Sequence, residues 1–159
     1  MDATEWNVAK FNDITVEYPA DYYVMSEEEL NVFFAGNLAR WGARNKEKHI
    51  VLAVGKTKDS ILNVVVSAKG ALDGAESKLR NGLRGYERTA AYDAQLLGAD
   101  AKAIRFEYSA GEENVRQYCE LTLVKKGRCF YASYAMCRRD DADRFADTFD
   151  RFRRALTEA

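Results

Sequence analysis

The residues of this chain that could do chemistry are one histidine, three cysteines and a few runs of like charge. A serine hydrolase needs a histidine base held beside its nucleophile. His49 is the sole histidine, stands just before a strand, and has no G-x-S-x-G turn to serve. It reads as a structural or solvated side chain. Cys119, Cys129 and Cys137 match no C-x-x-C spacing, so a zinc site of that kind is not indicated. No Walker loop and no G-x-G-x-x-G is present to cradle a phosphate. Glu27, Glu28 and Glu29 could form a metal cluster, but three acids in a row suit the positive end of a helix dipole better. Glu112 and Glu113 sit in a turn and read as solvated. Arg138 and Arg139 could hold an anion at a helix start, although Asp140 and Asp141 beside them oppose it. The expectation is a protein with no catalytic group, no metal and no cofactor.

Composition narrows the class. The chain has 159 residues, 47% hydrophobic and 31% charged, which fits one globular domain spanning 1–159. Its 24 basic residues against 25 acidic ones lack the excess that non-specific nucleic-acid binding requires. No apolar run approaches the ~18 residues that span a bilayer, so direct membrane insertion is not expected. The opening Met1-Asp2-Ala3-Thr4-Glu5 has neither the basic nor the apolar region of a signal peptide. As given the chain reads as cytoplasmic; with a leader trimmed away it would be exported or membrane-anchored. An odd number of cysteines at uneven spacing suggests reduced, buried thiols rather than a disulfide framework.

Several elements can be read from periodicity. Ile14, Val16 and Tyr18 alternate with polar residues before Pro19, giving a half-buried strand, and Asn12-Asp13 makes Val8 to Phe11 the first arm of a hairpin. Ser26 and Glu29 form a capping box, with Met25 and Leu30 placed as a hydrophobic staple. Leu30, Phe33, Phe34, Leu38 and Trp41 then recur at helical spacing, with Gly36 as a weak point costing about 1 kcal/mol relative to alanine. Ile50 to Lys56 and Ile61 to Lys69 read as two strands, the second covered on both faces. Asp73 with Glu76 opens a second helix that ends near Gly85. Leu96-Leu97-Gly98 leads into a strand ending at Tyr108.

The closing segment is the clearest. Val115 to Val124 and Cys129 to Met136 form a hairpin. A two-residue Lys126-Gly127 turn puts Gln117, Cys119, Leu121 and Leu123 on one face with Phe130, Ala132, Tyr134 and Met136. A three-residue Lys125-Lys126-Gly127 turn is equally allowed locally but mixes the faces. Burial sets register more firmly than turn preference, which favours the first. In either register Cys119 and Cys129 are not opposite one another. A helix capped by Asp140 or Asp141 follows, with Phe145, Phe149, Phe152 and Leu156 as one apolar stripe.

Two surfaces are candidates for binding. Tyr22, Tyr23, Phe33, Phe34 and Trp41 cluster in the first third. Phe33 and Phe34 are adjacent and cannot both point inward, so an exposed aromatic patch for a protein partner is one reading. Burial of one side of the helix is the other. Tyr118 and Tyr131 mark a tyrosine-rich sheet face that could line a ligand pocket under a helix. A homodimer with a structural role stays open as a third reading.

The order of parts resembles the PsbP-like superfamily, which includes DcrB-like lipoproteins and type VI secretion adaptor chaperones. The resemblance runs from Ile14-Thr15-Val16-Glu17-Tyr18-Pro19 through the first helix, a strand pair, a second helix, and Gly98-Ala99-Asp100-Ala101 followed by Phe106-Glu107-Tyr108. It ends with the hairpin and final helix. The lipoprotein cysteine is missing, and Arg153-Arg154-Ala155-Leu156 stands where a serine-phenylalanine pair is usual. The resemblance implies an α+β fold: an α/β/α sandwich whose central antiparallel sheet is flanked by about three helices. It also implies a non-enzymatic module that binds a protein or acts as an adaptor.

Overall fold

Alternating apolar residues in the second half of the chain build the centre of the fold. The computed structural model describes residues 5–33, 39–57, 60, 63 and 65–158. Strands β1 (Trp6–Phe11), β2 (Ile14–Pro19) and β3 (Tyr23–Val24) precede helix α1 (Glu27–Phe33). Strands β4 (Ala39–Asn45) and β5 (Ile50–Lys56) lead to helix α2 (Ala68–Gly82). Strands β6 (Glu87–Leu96), β7 (Ala99–Ala110), β8 (Val115–Lys126) and β9 (Cys129–Arg138) follow. Helix α3 (Ala142–Ala155) and the short β10 (Thr157–Glu158) complete it. A seven-stranded antiparallel sheet has the order β3-β4-β5-β9-β8-β7-β6, and a small sheet has the order β1-β2-β10.

The large sheet is covered on both faces, as expected for an α/β/α sandwich. One face carries Ile104, Phe106, Cys119, Leu121, Leu123, Phe130 and Ala132, packed against Leu72, Leu79 and Leu83 of α2 and its end. Leu30 and Phe33 of α1 pack on the same face, over Val51 and Met136. The opposite face carries Leu52, Val54, Val124, Tyr131 and Cys137 under Phe145, Phe149 and Phe152 of α3, with Ile14 and Val16 of the small sheet. No helix among the described residues is long and apolar enough to cross a membrane.

The closing hairpin keeps the expected faces but turns one residue later. Lys126 pairs with Cys129, so Gly127-Arg128 form the turn. Gly127 has φ 64°, which a first turn position with positive φ demands, and glycine adopts it freely. Cys119 lies opposite Met136, not Cys129.

Three expectations are corrected. Trp41 is not on a helix. The helix that follows Ser26 is α1, Glu27–Phe33, and Trp41 lies on β4, where Trp41, Ala43 and Asn45 point inward at period two. Trp41 meets Tyr18 with ring centroids 5.2 Å apart. Next to it, Gly42 lets the start of α1 approach closely: a Cβ there would lie 2.9 Å from the Met25 sulfur. Second, Ile61 to Lys69 is not a covered strand over its described residues, for Val65 is 85% exposed and Lys69 lies in α2. Ser67 caps that helix by accepting from the Gly70 N–H at 3.0 Å, so α2 starts well before Asp73. Third, the stretch before Leu96 is itself a strand, β6, paired with β7. Its inward residues Ala90, Tyr92 and Ala94 are only partly buried, a weak alternation flanked by charge. Leu97 and Gly98, at φ 53° and 73°, make the tight turn from β6 into β7.

Candidate functional site

The predicted aromatic patch divides on folding. Tyr22 and Trp41 are core residues, 6% and 9% exposed, so neither belongs to a surface. Burial pushes the Tyr22 phenol well above its ordinary range. Tyr23 remains 38% exposed on β3 and donates a 2.6 Å hydrogen bond to Glu29. Phe33 is half-buried beneath the Arg44 guanidinium, 4.9 Å from the ring centre. Phe34 lies outside the described residues. What sequence reasoning misses is aliphatic: Val24 and Val32, on the same β3–α1 unit as Tyr23, are 47% and 80% exposed. Val32 stands next to Phe33 on α1, whose one buried side chain among the described residues is Leu30, and nothing in the sequence marks Val32 as uncovered.

The predicted tyrosine pocket is filled. Tyr118 and Tyr131 share the sheet face beneath α3, but Phe149 stacks on Tyr118 with ring centroids 6.4 Å apart. Tyr131 is 4% exposed and donates to Asp13 at 3.0 Å, with Lys56 over its ring. The phenylalanine stripe of α3 thus occupies the space over Tyr118.

A groove does open on the other face. It lies between Phe33 of α1 and the turn joining β7 to β8, with a volume of 240 Å³. Its apolar lining includes Phe33, Val51, Val115 and Met136. Arg44, His49 and Arg138 supply polar rims, and Gln117 lies between them. His49 reaches this position from the β4–β5 turn, where it adopts φ 57°. Asn45 holds that turn by accepting from the Lys48 N–H at 3.0 Å. Arg44 forms an ion pair with Glu29 at 3.4 Å. Burial pushes the Tyr108 phenol, also in the lining, up, so it stays protonated and neutral.

Nucleophilic and metal chemistry find little support in this arrangement. Cys119, Cys129 and Cys137 are free and buried. Burial first, then neighbouring negative charge, raises the Cys119 thiol well above its usual value and pushes Cys137 up to about 12. A thiol held protonated is a poor nucleophile and a poor metal ligand. Among the described residues no three His, Cys, Asp or Glu side chains are grouped to hold a metal ion. Glu76 is the buried acid of α2, and it is tied to Tyr86 at 2.8 Å and to Arg88 and Arg80 at 3.3 and 3.4 Å. Those bonds fasten α2 to the start of β6 and leave the carboxylate committed to structure.

No protein-family profile matches the chain, and no curated protein matches it. Solved structures do. Cyanobacterial PsbP (CyanoP) from Synechocystis sp. PCC 6803 is similar with a TM-score of 0.68 at 11% identity, over 100% of this chain and 95% of that one. LpqN of Mycobacterium tuberculosis, involved in cell envelope biogenesis, is similar with a TM-score of 0.61 at 13% identity, over 98% and 91%. A Pseudomonas aeruginosa protein of unknown function, a putative regulator, is similar with a TM-score of 0.58 at 7% identity, over 92% of each chain. At these TM-scores, over nearly the whole of each chain, the chain has the PsbP-like fold.

Proposed function

We propose that this protein is a non-catalytic module that binds a polypeptide partner, as an adaptor does, through the corner formed by β3 and α1. The observation that carries the reading is that Tyr23, Val24 and Val32 of the β3–α1 unit, at one edge of the large sheet, each remain exposed. Two of the three are aliphatic residues that folding leaves in water. Side chains of this type gain most from being covered, and they are joined to a half-buried phenylalanine able to anchor a contact. The thiols of Cys119 and Cys137, buried and held protonated, suit a role in binding better than one in catalysis.

The test is site-specific photo-crosslinking in the source cell, with a benzophenone side chain at position 32 and, as control, at position 89 on the opposite edge of the sheet. A discrete polypeptide adduct from position 32 alone is expected, and Tyr23→Ser with Val24→Ser should reduce it at least severalfold. Adducts of equal yield from both positions would show that this corner is not the binding surface.

A further inference from the structure

Arg138 is unusual among the arginines of the described residues. Each of the others has an ion pair, a hydrogen bond or a ring contact. The Arg138 side chain has none, and it stands at the end of β9 on the rim of the 240 Å³ groove. Among the described residues the His49 imidazole on the same groove is also without a side-chain partner. No aspartate or glutamate among the described residues lines the groove. Arg44, the remaining cation, is already opposed by Glu29. The floor between these groups is apolar, from Val51, Val115 and Met136.

Resting on the protein-binding reading above, we infer that this groove receives an acidic side chain of the partner polypeptide, set against Arg138 and His49, with a neighbouring aliphatic side chain laid on Val51 and Met136. Charge complementarity argues for the carboxylate: an unpaired guanidinium and an imidazole donor face a rim without acids among the described residues, and the arginine fork matches a carboxylate's two oxygens. Size argues for a side chain over a whole cofactor. The volume lies below the roughly 300–1,000 Å³ usual for small-molecule sites. Continuity argues for the same partner, since Phe33 lines the groove and its neighbour Val32 belongs to the exposed corner. Glu112 and Glu113 follow Gly111 of the lining, but both are exposed and neither lines the groove.

The experiment uses the full chain, labelled with nitrogen-15, and three probes: acetyl-Leu-Glu-Leu-amide, acetyl-Leu-Gln-Leu-amide and N-acetylleucine. The glutamate peptide should move the amide signals of Val51, Gly111, Val115 and Arg138 in a saturable way. The glutamine peptide should bind about fivefold more weakly, the scale set by one exposed ion pair. Arg138→Gln with His49→Gln should remove that difference while leaving the rest of the spectrum in place. Equal binding of the two peptides, or no saturable shift up to about 10 mM, a range that captures even weak contacts, overturns the inference. N-acetylleucine binding as tightly as the glutamate peptide overturns it too, by identifying a small anion as the occupant. If the peptides fail while the position 32 adduct persists, the carboxylate assignment falls and the binding corner stands.

Discussion

The Tyr23 phenol donates a 2.6 Å hydrogen bond to the Glu29 carboxylate, tying the two-residue edge strand β3 to the first turn of α1. That bond is the leading cause holding the Glu29 carboxyl below its ordinary range, with the Ser26 N–H and the cations Lys46 and Arg44 assisting. Tyr23→Phe should therefore raise the Glu29 carboxyl toward the usual glutamate value, read by side-chain NMR titration. A carboxyl depressed in the folded state stabilises above its unfolded value and loses that contribution as pH falls through its folded value. The melting temperature difference between the native chain and Tyr23→Phe should be full at neutral pH and shrink in acid. A difference that grows in acid would contradict this assignment.

The buried thiols make a second expectation. With Cys137 pushed up to about 12, only about one molecule in ten thousand carries its thiolate at pH 8. Iodoacetamide at pH 8 should leave Cys119 and Cys137 unmodified in the folded protein over hours and label all three cysteines after denaturation. Mass spectrometry decides it; rapid native labelling of Cys119 would show that the sheet opens locally.

Phe149 is 2% exposed and fills the space above Tyr118. Phe149→Ala should cost about 3–5 kcal/mol, from lost burial and the cavity left behind. Urea unfolding would show it as a lower midpoint with an unchanged slope. A cost below about 1 kcal/mol would mean that α3 can settle into the gap.

The far edge of the large sheet is β6, ten residues paired on one side only among the described residues. A register shift between Arg88 and Ala90 bends it, and Glu87, Arg88 and Asp93 place charges along it. Bulges and charges on an edge discourage pairing with a second chain. The native protein should sediment as a monomer at tens of micromolar. Arg88→Val with Asp93→Val should associate under the same conditions. A native dimer disrupted by changes in β6 would reverse this reading and favour the homodimer.

Legibility differs between elements for physical reasons. The β8–β9 hairpin and α3 can be read because their apolar faces are nearly unbroken, from Cys119 to Met136 and from Phe145 to Leu156. Trp41 misleads because its distance from Leu30 fits about three helical turns, and only the inward pair Ala43 and Asn45 reveals the period of two. Ser67 is hidden as a cap because valines precede it and suggest a strand. The groove cannot be read at all. His49, Val51, Val115 and Arg138 come from three separated stretches that meet only when β5 lies against β9 and β9 against β8. The exposed corner is half visible: its aromatic member Tyr23 stands out, while Val24 and Val32 carry no mark in sequence that folding will leave them uncovered.

Strand β2 takes β10 as a neighbour, with Ile14 opposite Glu158. During synthesis the first hairpin therefore waits until Glu158 has been made before its outer edge is closed. Loop-closure entropy grows slowly with length, so the delay costs little in final stability. It weighs instead on rate, because distant pairings are formed late. The first hairpin is thus the part of the nascent protein most in need of protection from wrong neighbours, and Lys126 anchoring Glu158 at 2.8 Å is the latch that ends that interval.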